Sequence, residues 1–234
     1  MCGRYVLKRQ DLEALMAQLG VKDPRDFVSR YNIAPTTVVP AIRVGSDGTR
    51  EAAALRWGLV PAWAKDAAGA PLANARAEGI ATKPAFRDAF RRRRCVLPAS
   101  GFYEWETRGR VKLPQYFQLA GEAPCLLAGL WETWRSADGV ELQTCTIVTT
   151  RANAVVAAFH DRMPVILPPA AVARWLDPAV NEPAALEPLL VPAAAPMSVR
   201  AVSPRVNSVR HDGPENLAPP SASDAGPQLA LGLD

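Results

Sequence analysis

Short strand-length runs closed off by turn signals recur through most of this chain, and they restrict the fold more than any other feature. Thr37–Val44 and Arg50–Leu59 flank Gly45-Ser46-Asp47-Gly48, which predicts a hairpin. Cys125–Trp134 and Leu142–Thr149 flank Ser136-Ala137-Asp138-Gly139 in the same way. Further strands are expected at residues 3–7, Gly101–Glu106, Gln115–Leu119, Val165–Leu167 and Ser198–Ser203. Helical spacing is confined to short stretches. Leu12, Leu15, Met16 and Leu19 form one face closed by Gly20, and segments near 84–90, 151–159, 168–176 and 182–190 add others. The expectation is an α+β single domain over residues 1–216, with a mixed, largely antiparallel, barrel-like β-sheet core and several short helices. From Leu217 onward Pro, Ala, Ser and Gly dominate, so 217–234 is expected to be a disordered tail.

Composition narrows the class. The 234 residues are 49% hydrophobic and 21% charged, as in ordinary soluble proteins. No apolar run reaches the length of a membrane span, and no basic segment followed by an apolar one opens the chain. A cytoplasmic, nucleoid-associated location is expected, with no membrane partner. Cys2, Cys95, Cys125 and Cys145 are widely spaced, and His160 and His211 are the only histidines, so neither a disulfide framework nor a zinc site has support. No metal or organic cofactor is expected, and the chain is expected to be a monomer. The formal net charge is +4, and because the tail holds only Asp224 and Asp234, the body carries +6. Arginine outnumbers lysine 22 to 5. That bias suits bidentate phosphate contacts, and a GC-rich genome would produce it equally well.

The chain opens Met1-Cys2-Gly3-Arg4. A small second residue normally permits trimming of the initiator methionine, which would leave Cys2 with a free α-amine beside its thiol. Both groups have ordinary pKa values near 8, so both keep a nucleophilic fraction at neutrality. Such an aminothiol condenses with an aldehyde to an imine that the thiol closes as a thiazolidine. It also suits an N-terminal nucleophile attacking a carbonyl. On the dipeptide alone, a small apolar residue starting a strand is the simpler reading.

Other candidates lie further along. Glu104 sits among Phe102, Tyr103 and Trp105, and a carboxyl in apolar surroundings acquires a raised pKa suited to acid–base work, unless it faces solvent. His160 follows a helical segment and is either an acid–base group or a helix-end residue. Asn74 and Arg76 alternate in an extended stretch, so both would face one side, the first to orient a nucleophile and the second to hold an anion. Trp57 and Trp63 lie in a long irregular run ending near Leu72, where a tryptophan packs in the core or stacks on a base. The Arg91–Arg94 run is read as a solvated helix end, because a strand follows directly.

Cys2-Gly3-Arg4-Tyr5, Asn32-Ile33-Ala34-Pro35, Arg56 through Trp63, Asn74-Ala75-Arg76-Ala77-Glu78, Arg94-Cys95, Pro98-Ala99, Gly101-Phe102-Tyr103-Glu104-Trp105, His160 through Val165 and Val206-Asn207-Ser208-Val209-Arg210 occur in that order. Together they resemble the SOS response-associated peptidase (SRAP) family, the abasic-site processing proteins, over about residues 2–216. Ser100 and Gly79 depart from the family pattern and bear only on local loop shape. The resemblance implies binding of single-stranded DNA with an abasic site, and capture of its ring-opened C1′ aldehyde by Cys2 as a thiazolidine crosslink. It implies that Glu104 and His160 move protons, that Asn74 holds the amine or sugar, and that Arg4, Arg76 and Arg162 contact phosphates. Trp63 would stack on a base and Pro40 would help wedge bases apart. The peptidase label would refer to removal of Met1, by the protein itself or by an aminopeptidase. An amidohydrolase with an N-terminal nucleophile, or a non-covalent single-strand binding module, are the alternatives.

Overall fold

The computed structural model describes residues 2–109 and 111–221. Its elements run in the order β1 (Arg4–Leu7), α1 (Arg9–Leu19), β2 (Arg30–Ile33), β3 (Val38–Val44), β4 (Arg50–Trp57), β5 (Asn74–Arg76), α2 (Arg87–Arg92), β6 (Arg94–Ala99), β7 (Gly101–Arg108), β8 (Val111–Leu119), β9 (Cys125–Arg135), β10 (Glu141–Arg151), α3 (Ala154–Ala157), β11 (Arg162–Pro164), β12 (Ile166–Leu167), α4 (Pro169–Leu176), α5 (Pro183–Leu186) and β13 (Met197–Ala201). The expected hairpins form as β3–β4 and β9–β10, each closed at its glycine turn. Helix α1 ends where Gly20 takes up a left-handed φ of 66°, and its N–H returns to the Ala17 carbonyl.

Five of these strands close into a barrel. β4 pairs with β3, β3 with β6, β6 with β9 and β9 with β10, all antiparallel. The ring is completed by β10 lying parallel to β4, with Thr144 opposite Arg56 and Cys145 opposite Trp57. Beyond Cys145, β10 takes the short strand β5 as its parallel neighbour, Ile147 opposite Asn74. A second, antiparallel sheet in the order β13-β8-β7-β1-β2 leans on the barrel. The chain crosses between them at Ser100, whose N–H donates to Val6 O at 2.7 Å and whose Oγ accepts from Lys8 N–H at 2.8 Å. The fold is therefore the α+β, barrel-cored, largely antiparallel single domain that the strand pattern implies.

Side-chain parity divides the second sheet into two faces. Tyr5, Leu7, Phe102 and Phe117 join the main core with barrel residues such as Val39, Cys95 and Cys145. Val6, Tyr103 and Tyr116 point the other way, into a smaller cluster covered by Val202 and Val206. Leu217 packs there as well, and Ala218 O accepts from Ser203 N–H, so the chain is still tied down where the tail was expected to begin. The rest of that expected tail, from residue 222, lies outside the described residues.

Three expectations shift. Helix α2 starts three residues later than its pattern suggests, because Lys83 O first accepts the N–H groups of Phe86 and Arg87 in a turn. Tyr31–Pro35, whose pattern reads as a rigid loop, is in part a strand: Arg30–Ile33 pairs with β1, Ile33 opposite Tyr5. The arginine run is not a solvated helix end throughout. Arg93 pairs with Glu132, and Arg94 is buried. Its guanidinium donates to the carbonyls of Phe90, Arg91, Trp175, Asp177 and Val180, joining the end of α2 to the end of α4. Burial lowers Arg94 to about 10, which leaves it a cation at neutrality.

Such a narrow barrel has little interior room. A methyl on Gly129 would overlap Leu97 Cδ1 and come within 2.9 Å of Cys95 Sγ. Gly129→Ala is accordingly expected to lower stability by about 1–3 kcal/mol, read from the urea midpoint, as for other overpacked cores.

Candidate active site

Cys2 lies just ahead of β1, fully buried where the second sheet meets the barrel. Asn74 opens β5, and its Nδ2 donates to Cys2 O at 2.9 Å. The register with β10 holds Asn74 in place, while Ala73 O accepts from the Trp57 indole and from Ile147 N–H. Asn74 Oδ1 is buried beside the Cys2 backbone and, among the described residues, accepts no hydrogen bond. Glu104 follows Phe102 by two residues on β7, so parity turns it toward the same inner face, where it is 3% exposed.

The electrostatics tie these groups together. Burial raises the Glu104 carboxyl above its ordinary value, and a positive charge at His160 acts in the opposite sense. Burial also pushes the Cys2 thiol far above its usual range, and the Glu104 charge adds to the effect. A thiol held there stays protonated at neutral pH. His160 comes just after α3, whose start is capped by Asn153 accepting from Val156 N–H. The His160 Nδ1 accepts from Arg162 N–H at 2.9 Å. Asp161 Oδ1 lies 2.9 Å from the same nitrogen, an ion pair only if Nδ1 carries a proton. The backbone amide can only donate, so toward Arg162 the Nδ1 atom is the acceptor. Cys2, Asn74, Glu104 and His160, scattered through the sequence, thus share one site.

The remaining candidates divide. Arg76 shares its strand face with Asn74 and is exposed. Arg162 is already occupied: Nη1 reaches Glu78 Oε1 at 2.9 Å, and Nη2 donates to Thr149 O at 2.6 Å. The Arg162 hydrogen bond lowers the Glu78 carboxyl below its ordinary value. Any anion that binds Arg162 has to displace an intramolecular carboxylate. Arg4 points to the opposite face of the second sheet from Glu104, its guanidinium 5.8 Å from the Trp105 ring centre. With Gly3, Trp105, Lys112 and Asn207 it lines a hollow of about 370 Å³. Trp63 is 67% exposed on the irregular loop, next to a mostly apolar hollow. Pro40 is buried in β3 opposite Ala54, so its ring offers no open face to bases, and it is not brought into this group. Glu78, Thr149, Lys112 and Asn207 escape a residue-by-residue reading, because only pairing across strands reveals their partners. Among the described residues no group of three or more His, Cys, Asp and Glu side chains is placed to hold a metal ion. No described helix is long and apolar enough to cross a membrane.

Comparison with known proteins follows the same lines. The family described as SOS response associated peptidase (SRAP) matches residues 1–209. The chain is 39% identical to abasic site processing protein YoaM of Bacillus subtilis over 223 residues, 93% of this chain and 97% of that protein. It is 32% identical to abasic site processing protein YedK of Escherichia coli over 227 residues, 94% of this chain and all of that one. A crystal structure of a Bacteroides thetaiotaomicron protein superimposes with a TM-score of 0.83 over 94% of this chain and all of that one, at 24% identity, a likeness of fold. A phage-related protein of Bordetella bronchiseptica gives 0.69 at 30% identity, over 86% of this chain and 94% of that one.

The raised Glu104 carboxyl has a stability signature. A buried carboxyl that binds its proton more tightly when folded stabilises the protein below the unfolded value, near 4.5, and loses that contribution as pH rises through the folded value. Thermal melts of the native protein against Glu104→Gln, from pH 4.5 upward, are expected to show the wild type losing ground to the variant as pH rises. Parallel curves would remove the carboxyl's buried character.

Proposed function

Because the chain belongs to the SRAP family and its relatives are named abasic site processing proteins, we propose that it captures abasic sites in single-stranded DNA by a covalent bond to Cys2. The observation that carries this reading is the meeting of Cys2, Asn74 and Glu104, with His160 at the edge, where a buried carboxyl stands beside a buried thiol. Removal of Met1 frees the Cys2 α-amine, which is the sense in which the family's peptidase description fits. The amine attacks the C1′ aldehyde of the ring-opened sugar, and the carbinolamine loses water to give an imine. The thiol then adds across the carbon–nitrogen double bond: sulfur bonds C1′, nitrogen receives the thiol proton, and a thiazolidine results.

The electrostatics suit that order. A thiol kept protonated by burial and by Glu104 does not compete for the aldehyde, so the amine reacts first. Glu104, its pKa raised by burial, is suited to deliver the proton that expels water. His160 serves the sugar oxygen during ring opening. Asn74 holds the backbone of Cys2, and its buried Oδ1 is an acceptor for the freed amine. Arg4, Arg76 and Arg162 take phosphates, the last after Glu78 lets go, and Trp63 offers a face to a base beside the lesion. The protein acts as a monomer in the cytoplasm.

A denaturing gel with purified protein tests this, using single-stranded DNA with one abasic site and the same strand without it. A heat-stable band only with the lesion is expected, its mass that of protein plus DNA less Met1 and one water. Cys2→Ala is expected to abolish that band, and Glu104→Gln to slow its appearance about 10²–10⁴-fold. Lesion-independent, salt-reversible binding that survives Cys2→Ser would replace the reading with a binding module. Glutamine turnover without DNA would replace it with an amidohydrolase.

A further inference from the structure

Asn32 and the segment after Val206 take no part in the chemistry above, yet they meet. Asn32 is 2% exposed on β2, and its amide uses both ends. Nδ2 donates to the carbonyls of Val206 at 3.1 Å, Ser208 at 3.0 Å and His211 at 2.7 Å. Oδ1 accepts from Arg4 Nη1 at 2.7 Å, and the same nitrogen donates to Val206 O at 2.8 Å. Asp212 closes the arrangement by accepting the N–H groups of Tyr31 and Asn32 and pairing with Arg30. The 206–212 segment is thus fastened to β2. Asn207 on it accepts from the Trp105 indole at 2.6 Å, which sets the wall of the Arg4 hollow.

We infer that Asn32 is a positioning residue that aims the Arg4 guanidinium at a DNA phosphate beside the Cys2 site. This rests on the DNA-capture reading above. The acceptors that hold Arg4 are an amide oxygen and a backbone carbonyl, and among the described residues no carboxylate is ion-paired with it. A neutral holder orients the cation without cancelling its charge, so the full charge remains for an anion entering the hollow. Among the described residues only the Nη1 hydrogens are committed, which leaves Nε and Nη2 for a bidentate phosphate contact.

The test measures binding to abasic single-stranded DNA as a function of salt, for the wild type, Arg4→Ala, Asn32→Ala and the double variant. Each single variant is expected to weaken binding roughly tenfold and lower the slope of log K against log salt by about 0.7, one phosphate on a single strand. If Asn32 acts through Arg4, the double variant loses no more than Arg4→Ala alone. A wild-type slope in Asn32→Ala, or a second full loss in the double variant, overturns the inference. Should Asn32→Ala not fold, the wild type still decides. In nitrogen-15 spectra of the free protein, the Arg4 guanidinium, assigned by its loss in Arg4→Ala, is expected to show two distinct Nη signals. Averaging as fast as at exposed Arg174 overturns the clamp. A wild-type protein that binds no single-stranded DNA overturns the capture reading itself, whereas a freely rotating Arg4 in a protein that does bind overturns the clamp alone.

Discussion

Closure of the barrel by β10 is the contact on which the rest of the structure depends. By pairing in parallel first with β4 and then with β5, that strand seals the ring and fixes Asn74 in register opposite Ile147. Three residues of β5 could not hold a conformation alone; the ladder to β10 supplies their hydrogen bonds. The same strand supplies Thr149, whose carbonyl anchors Arg162, and pairs through Arg151 with Arg162 itself. One strand thus sets the amide beside Cys2 and the guanidinium at the rim. Geometry of this kind is more dependable on paired strands than on loops.

The second sheet separates two kinds of chemistry by the simplest property of a strand. Odd and even positions of β7 face opposite ways, so Glu104 goes inward with Phe102 while Tyr103 goes outward, and Arg4 lies against the Trp105 ring on the far side. Burial raises the carboxyl's pKa, as proton transfer near neutrality requires. A guanidinium on the inner face would have done the reverse. On the outer side, Arg4 keeps its charge because neutral oxygens hold it. Arg162 is held differently, by a carboxylate, so the two guanidinium groups are not electrostatically equivalent.

Burial also explains why arginines so similar in sequence differ in role. Arg94 stands in a run that reads as a surface patch, yet five backbone carbonyls surround it and it ties two helices together. Helix ends leave carbonyls without partners, and a buried guanidinium with many donors is a compact way to satisfy them. Its charge serves packing at the first residue of β6.

Much of this was legible in the linear sequence. The two hairpins announced themselves by glycine turns between strand runs, and α1 by its apolar face and the glycine that closes it, because these features depend on neighbours a few residues apart. The candidate residues were legible too, since Cys2, Asn74, Glu104 and His160 stand in recognisable segments. What the sequence by itself determined was most of the longer strands and the family to which the chain belongs, while β2, read as a rigid loop over Tyr31–Pro35, became a strand only through its pairing with β1. Tertiary structure alone decided that the barrel closes through β10, that Pro40 and Arg94 are inside, that Glu78 holds Arg162, and that Asn32 holds Arg4. The physical reason is separation along the chain. Local turns and faces are encoded within a few residues, whereas burial and hydrogen-bond partners arise between segments as far apart as Arg4 and Val206, where only the folded backbone sets which groups meet.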